Sequence, residues 1–174
     1  MLTDALHQFV DHLGRLNRPA AWWIRPGVPA DRLPAGAPES VAHWFAWADG
    51  IESFEGQLFN DASVIPGYTL VSVDEAARLM PAYGADPVLR DRWFPLLTTA
   101  AADLYAAVWA PGAEAQVASV VAGEPTEVEF GSIERMVDFF NACFDTEVFF
   151  VDDEQRLASD PGRYDELFAE MTGD

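Results

Sequence analysis

The chain has 174 residues, of which half are apolar and 13% aromatic. This composition excludes disorder over most of its length and supports one domain with its own core. The formal net charge of −19 comes from 29 acidic residues against ten Arg and no Lys, so phosphate backbones and anionic lipid surfaces would repel the chain. We therefore expect neither direct nucleic-acid binding nor a membrane partner.

The negative charge is concentrated towards the end of the chain. Residues 1–50 carry a net charge of −1 and residues 51–113 a net charge of −5. Residues 114–174 contain sixteen acids and three Arg, a net charge of −13. This asymmetry predicts that one part of the surface is strongly acidic.

Five segments carry helical signals. They are an apolar stripe from an N-cap at Thr3 to Pro19, a stripe from Pro38 to Asp49-Gly50, a capping box at Ser72–Glu75 with a helix ending at Pro81, a stripe after an N-cap at Ser132, and a helix starting at Asp160-Pro161. On the helix after Ser132, Asn141 is expected on the polar face. The Pro-rich loop after Pro19 has no periodicity.

Strand-like runs lie between the helices. They are Gln57–Asn60, Tyr68–Val71, Trp93–Leu97, Leu104–Trp109, Gln116–Val121, Thr126–Phe130, Val148–Val151 and Arg156–Ser159. Short breaks between them favour antiparallel hairpins. The order of elements predicts a single α+β domain over residues 1–174, with a mostly antiparallel central sheet of about five to seven strands flanked by N-terminal, late and C-terminal helices.

Sequence signals for catalysis and for metal binding are weak. Cys143 and a histidine (His7, His12 or His43) could form a thiol nucleophile and base, but Cys143 falls on the apolar stripe of its helix, where burial is favoured. His7 and His12 are five residues apart, which separates them around a helix. Because the chain has one Cys, and acids stand where a signal peptide carries positive charge, we expect a cytoplasmic protein without disulfide, metal or cofactor.

The acidic run Asp152–Glu154 has two interpretations. It lacks the spaced ligands and the central Gly of an EF-hand calcium loop. Its position between two apolar runs favours the turn of a hairpin instead. GxSxG, GxGxxG and Walker A motifs are also missing from the sequence, and a catalytic carboxylate pair cannot be identified among so many acids.

The six Trp fall into two groups. Trp44, Trp47, Trp93 and Trp109 lie on predicted elements and are expected in the core. Trp22 and Trp23 lie in the Pro-rich loop, where they either cover the core as a lid, the favoured interpretation, or present an aromatic anchor to a partner.

Acidic residues of the last third form the main candidate surface. In the run 126–130, Val128 and Phe130 are expected on one side of a strand, and Glu127 and Glu129 on the other. The surface is either merely solvated or complementary to a basic partner. The candidate partner-binding residues are Glu127, Glu129, Glu147, Asp152, Asp153, Glu154, Trp22 and Trp23.

Several short motifs resemble those of the SUKH superfamily, which includes bacterial immunity proteins and fungal cell-wall assembly regulators. They are Leu33-Pro34 leading into the segment from Pro38 to Asp49-Gly50, Ile65–Tyr68 followed by LVSVDEA, Trp93–Leu97, Asp103–Tyr105, and Phe130–Ser132 leading into MVDFF. The resemblance spans roughly residues 30–171, preceded by an N-terminal helix and a Pro-rich loop over 1–29. Ala101-Ala102 replace the glycines usual before Asp103, and Ile51 follows Gly50 where the family has another Gly.

This resemblance implies a non-catalytic α+β protein that binds other proteins. The function expected from it is that of an immunity protein, which neutralises a cognate toxin such as a nuclease by covering a basic toxin domain with an acidic surface. Two alternatives are a regulatory scaffold that binds housekeeping partners and a carboxylate-dependent hydrolase. The oligomeric state is left open.

Overall fold

Helices lie at both ends of the chain and strands occupy its middle. The computed structural model describes residues 1–173, and Asp174, which the predicted domain included, lies outside them. The helices are α1 (Leu2–Arg15), α2 (Ala20–Trp23), α3 (Glu39–Trp47), α4 (Val73–Leu79), α5 (Ile133–Asp145) and α6 (Pro161–Thr172). Short 3₁₀ turns cover Ala30–Arg32 and Met80–Tyr83.

Seven strands form two antiparallel sheets within residues 1–173. They are β1 (Thr69–Leu70), β2 (Trp93–Thr98), β3 (Leu104–Val108), β4 (Gln116–Val120), β5 (Glu127–Phe130), β6 (Phe149–Val151) and β7 (Leu157–Ser159). Strands β1 to β5 pair in chain order, and β6 and β7 form a separate hairpin. The prediction of a single α+β domain with a mostly antiparallel sheet is confirmed.

Three of the predicted helix starts are confirmed by their caps. The side chains of Ser72, Ser132 and Asp160 each accept a hydrogen bond from the backbone N–H three residues later. The prediction for Thr3 is wrong, because α1 already begins at Leu2. The Thr3 hydroxyl instead lies 2.8 Å from Nε2 of His43 on α3 and thereby links the two helices.

The main core lies between one face of the five-stranded sheet and the helices α1, α3 and α5. Helix α5 packs against α1, α3 and α6 and also against β4, β5 and β6. The Phe140 ring lies at its centre, with ring centroids 5.8–6.4 Å away. These centroids belong to Phe9, Tyr105, Phe130, Phe139 and Phe149. One ring therefore joins α1, the sheet and the β6–β7 hairpin.

Asn141 does not lie on the polar face of α5. Its side chain is 3% exposed, and its Nδ2 donates a 2.9 Å hydrogen bond to the carbonyl oxygen of Ala5 on α1. The prediction from periodicity is wrong here because α1 covers more of α5 than the apolar stripe alone would require.

The opposite face of the sheet has a smaller core. Trp93, Leu104, Ala106, Ala118 and Val120 form this cluster together with Leu89. Partly buried Leu79, Met80 and Tyr83, from the end of α4 and the following turn, pack on it. Both faces of β2 are therefore covered, and all six of its residues are buried.

Most of the Trp predictions for the core are confirmed. Trp44, Trp93 and Trp109 are buried, and Trp47 is half-buried with its ring edge-on to Trp44 at 5.1 Å. Among residues 1–173, no helix has both the length and the apolar content that a bilayer crossing requires.

We expect Phe140→Ala to lower the free energy of unfolding by about 3–5 kcal/mol, because a large cavity would open where three elements meet. Phe150→Ala is the matched control. Its ring is 37% exposed, so a loss below about 1 kcal/mol is expected. Urea unfolding monitored by far-UV circular dichroism measures both, and equal losses would contradict the central role of Phe140.

Candidate functional site

Trp22 and Trp23 lie on the single turn of α2, but their environments differ. The Trp22 side chain is 66% exposed, so the expectation that it forms part of a lid over the core is wrong. Trp23 is half-buried, and its ring meets the Phe54 ring edge-on at 4.9 Å. Trp22 therefore points to solvent, while Trp23 fixes α2 against the segment that contains Phe54.

The segment of residues 52–61 consists of turns, and the predicted strand Gln57–Asn60 is wrong. The Gln57 amide donates to the carbonyl of Glu52 at 2.8 Å, which holds the segment as a compact loop. Its apolar side chains are unusually exposed: Phe54 by 47%, Leu58 by 66% and Phe59 by 37%. These residues were missed as surface candidates because an apolar pair beside Gln57 resembles a strand.

The acidic run at 152–154 forms the turn of the β6–β7 hairpin, as predicted. Asp152 Oδ1 accepts hydrogen bonds of 2.9 Å from the backbone N–H groups of Glu154 and Arg156. These backbone bonds and the Arg156 guanidinium lower the pKa of Asp152. Arg156 also lies 3.0 Å from Glu154, which leaves Asp153 as the unpaired acid of the turn.

Arg18, which sequence analysis did not single out, connects the hairpin turn to the 52–61 segment. Its side chain is 2% exposed and follows the end of α1. Nη1 donates to the Gln155 carbonyl at 3.1 Å, and Nη2 donates to the carbonyl and the side-chain oxygen of Asn60 at 2.5 and 3.0 Å. Asn60 in turn bonds both backbone groups of Leu157 on β7. The hairpin turn and the 52–61 segment, far apart in sequence, thus become neighbours.

Glu127 and Glu129 lie elsewhere, on strand β5, where a bulge alters the expected alternation. Val128 pairs with Ala118, but Phe130 pairs with the next residue, Val117, so Glu129 is an extra residue. Phe130 is consequently buried in the main core and Val128 is 44% exposed. The expectation that these two apolar residues share one side is wrong, whereas the two glutamates do line one common depression.

The pKa of Glu129 is shifted in the opposite direction to that of Asp152. Glu129 is half-buried, and burial raises its pKa, with the neighbouring Glu127 acting in the same direction and the Ser119 hydroxyl in the opposite one. The ionised form of a partly desolvated carboxyl beside a second acid is destabilised, because burial and the neighbouring negative charge both disfavour it. An incoming cation would therefore relieve an unfavourable charge at Glu129.

Glu147 is separate from both groups. It follows the end of α5 with a positive φ of 58° and an exposed side chain. Arg163 of α6 donates hydrogen bonds to the backbone carbonyls of Thr146 and Glu147 and so fixes this connection. The structure therefore places the Trp22–Trp23 turn and the 152–154 turn each against the 52–61 segment, the first through Phe54 and the second through Arg18 and Asn60. Glu147 and the β5 glutamates lie at separate positions.

Cys143 and His12, two of the candidates for thiol catalysis, are buried in the core. Cys143 is buried, and burial raises the pKa of its thiol to about 12. The His12 ring is buried and stacks on Phe144 with centroids 5.2 Å apart. Within residues 1–173, no group of three or more His, Cys, Asp or Glu side chains could hold a metal ion.

The surface depressions give little support to a carboxylate-dependent hydrolase. A cleft of about 480 Å³ beside β5 and α5 is lined by Glu129, Arg135 and Asp138. Burial raises the pKa of both Glu129 and Asp138, whereas an acid–base pair needs pKa values that move apart. The depression that Glu129 shares with Glu127 measures about 140 Å³, below the ~300–1,000 Å³ typical of small-molecule sites.

Comparisons with known proteins do not assign the chain to a family. No protein-family model matches it, and no curated protein is similar to it in sequence. The resemblance to the SUKH superfamily therefore stays a prediction, based on the short motifs described above.

We expect Asn60→Ala to destabilise the protein by about 2–4 kcal/mol, because the buried Arg18 guanidinium and the β7 backbone would both lose a partner. Gln57→Ala is the control in the same segment, since its bond to Glu52 is exposed and its loss should cost below about 1 kcal/mol. Urea unfolding measures the free energies, and hydrogen exchange of residues 149–159 should accelerate only in Asn60→Ala. Unchanged exchange there would contradict the connection.

We expect Glu129→Gln to stabilise the protein at pH 7. Because the pKa of Glu129 is raised, the folded protein binds the carboxyl proton more tightly than the unfolded chain does. Ionisation of Glu129 therefore lowers the free energy of unfolding as pH rises from the unfolded pKa of about 4.3 through the folded pKa. The gain in urea midpoint over the wild type should therefore shrink as pH falls towards about 4. Exposed Glu124→Gln serves as the control, and a gain independent of pH would contradict the raised pKa.

Proposed function

We propose that this chain is a non-catalytic protein-binding module and, specifically, an immunity protein that neutralises a cognate bacterial toxin by covering a basic surface. The observation that carries the proposal is a set of exposed or half-buried acids in the last third of the chain that no Arg neutralises. Within residues 1–173, Glu127, Glu129, Glu147 and Asp153 form no ion pair, although ten Arg are available in the sequence.

The charge of these acids fits a basic protein better than any other class of partner. A net charge of −19 repels nucleic acid, anionic lipid and a second copy of the chain. Nucleases carry basic clefts for their substrates, and an acidic protein can occupy such a cleft in place of the nucleic acid. Unscreened acids on the free protein would increase the rate of encounter with that cleft.

The resemblance to the SUKH superfamily supports the same function, because many of its members are antidotes to toxins. Its fungal members support the alternative of a regulatory scaffold. The function of the neighbouring gene product distinguishes the two possibilities, because an antidote is expected to be encoded next to its toxin. Expression of the neighbouring gene alone should arrest growth, and co-expression of this chain should restore it.

We expect the triple variant Glu127→Arg, Glu147→Arg and Asp153→Arg to bind the neighbouring gene product with an association rate about tenfold or more below the wild type at low salt. Asp152 is left unchanged because its carboxylate holds the hairpin turn. Stopped-flow measurements at about 50 mM and about 500 mM NaCl should show the difference shrinking with salt.

The matched control is Asp11→Arg, Asp31→Arg and Asp91→Arg, which changes the net charge equally at three exposed acids within residues 1–113. It should bind at a rate close to that of the wild type. Equal rates for both triple variants would remove these acids from the interface, and a harmless neighbouring gene product would contradict the immunity function.

A further inference from the structure

The apolar part of the surface is not spread evenly. Eight large hydrophobic side chains are exposed among residues 1–173, and four of them lie on α2 and the 52–61 segment. These four are Trp22, Phe54, Leu58 and Phe59, which we call the aromatic surface. Such a concentration marks a binding site more often than a random distribution of apolar residues would.

The aromatic surface is held in place by the rest of the fold. The backbone N–H of Glu52 donates to the Trp23 carbonyl at 2.7 Å, and Ile24 forms a β-bridge with Ile51. The Trp23 ring packs edge-on against the Phe54 ring. Arg18 donates a hydrogen bond to the carbonyl of Asn60, the residue directly after Phe59. A partner would therefore meet a segment whose backbone is already positioned, which reduces the entropy lost on binding.

Acids border the aromatic surface in sequence, and Arg18, the base that contacts this segment at Asn60, is buried. Residues 52–61 contain Glu52, Glu55 and Asp61 without a single Arg. The hairpin turn with Asp153 is adjacent, because Arg18 bonds both Asn60 and the Gln155 carbonyl. An apolar centre with a charged border is the usual arrangement of a protein interface.

We propose that the aromatic surface is the docking site for a basic protein segment that places an apolar side chain beside Trp22 and Leu58 and its Arg or Lys side chains against the surrounding acids. This inference builds on the proposed function, to which it adds an apolar docking site beside Asp153 and apart from Glu127 and Glu147. The charge of the surface favours a basic occupant. A second copy of the chain would bring the same acids against the surface and be repelled, whereas a basic segment is attracted to it before its apolar side chain is buried.

The experiment compares two fluorescent peptides of about 15 residues on the intact protein. Both carry Arg on each side of a centre, which is Leu-Phe-Leu in the basic-apolar peptide and Ser-Ser-Ser in the basic-polar peptide. By fluorescence anisotropy, the wild type should bind the basic-apolar peptide about tenfold or more tightly than the basic-polar one. The Trp22→Ala and Leu58→Ser variants should each lose most of this preference.

Met171→Ser is the matched control, because Met171 has the same 47% exposure as Phe54 but lies on α6. It should keep the preference unchanged. The two substituted side chains of the aromatic surface are each 66% exposed, so the variants should fold, which far-UV circular dichroism checks.

Four results would overturn the proposal. They are equal affinities for the two peptides, a preference that survives in both variants, binding to phosphatidylcholine vesicles that Trp22→Ala abolishes, and a concentration-dependent dimer in sedimentation that Trp22→Ala abolishes. The last two would identify a membrane or a second copy as the occupant.

The two proposals can fail separately. If Trp22→Ala still neutralises a toxic neighbouring gene product and the charge-reversed triple variant does not, the docking site is wrong and the immunity function stands. If the neighbouring gene product is harmless, the immunity function is wrong, and the peptide preference still decides the docking site.

Discussion

The positively charged guanidinium of Arg18 is buried between the end of α1, the 52–61 segment and the turn of the β6–β7 hairpin. Burial lowers the pKa of Arg18. The free-energy cost of burying this charge is offset by hydrogen bonds to the carbonyl oxygens of Asn60 and Gln155 and to the side-chain oxygen of Asn60. Because these oxygens belong to an irregular loop and a hairpin turn, the charge fixes segments that have few apolar contacts of their own. The position of α2, which starts two residues after Arg18, depends on the same arrangement.

Arg18 also explains how much of the candidate site could be predicted. Sequence patterns identified Trp22 and the acidic turn at 152–154 separately, from an unusual dipeptide and a polar run between strands. The acidic turn is joined to the 52–61 segment through Arg18, by hydrogen bonds of which one spans 137 positions in the chain, and a single sequence carries no signal for such a bond. The exposed Phe54 and Leu58 were missed because apolar residues are assigned to a core or a strand unless the structure shows otherwise.

For the fold, most of the helix-cap signals were reliable, with Thr3 as the exception. Ser72, Ser132 and Asp160 predicted helix starts because a cap depends only on the next three residues. The bulge at Glu129 and the burial of Asn141 depend on the partner strand and on α1, which lie distant in sequence. A prediction from periodicity assumes that side chains alternate regularly along a strand and that a helix has one buried face. The first assumption failed at the bulge in β5, and the second failed where α1 packs on α5.

Strand β5 forms one edge of the five-stranded sheet. An edge strand offers free backbone groups to any other extended chain, and edge-to-edge association of this kind leads to aggregation. The bulge and the two glutamates protect β5, since a distorted and charged edge pairs poorly. Because burial raises the pKa of Glu129, this protection weakens at a higher pH than an ordinary glutamate would allow. We therefore expect sheet extension through β5 to become easier in mild acid.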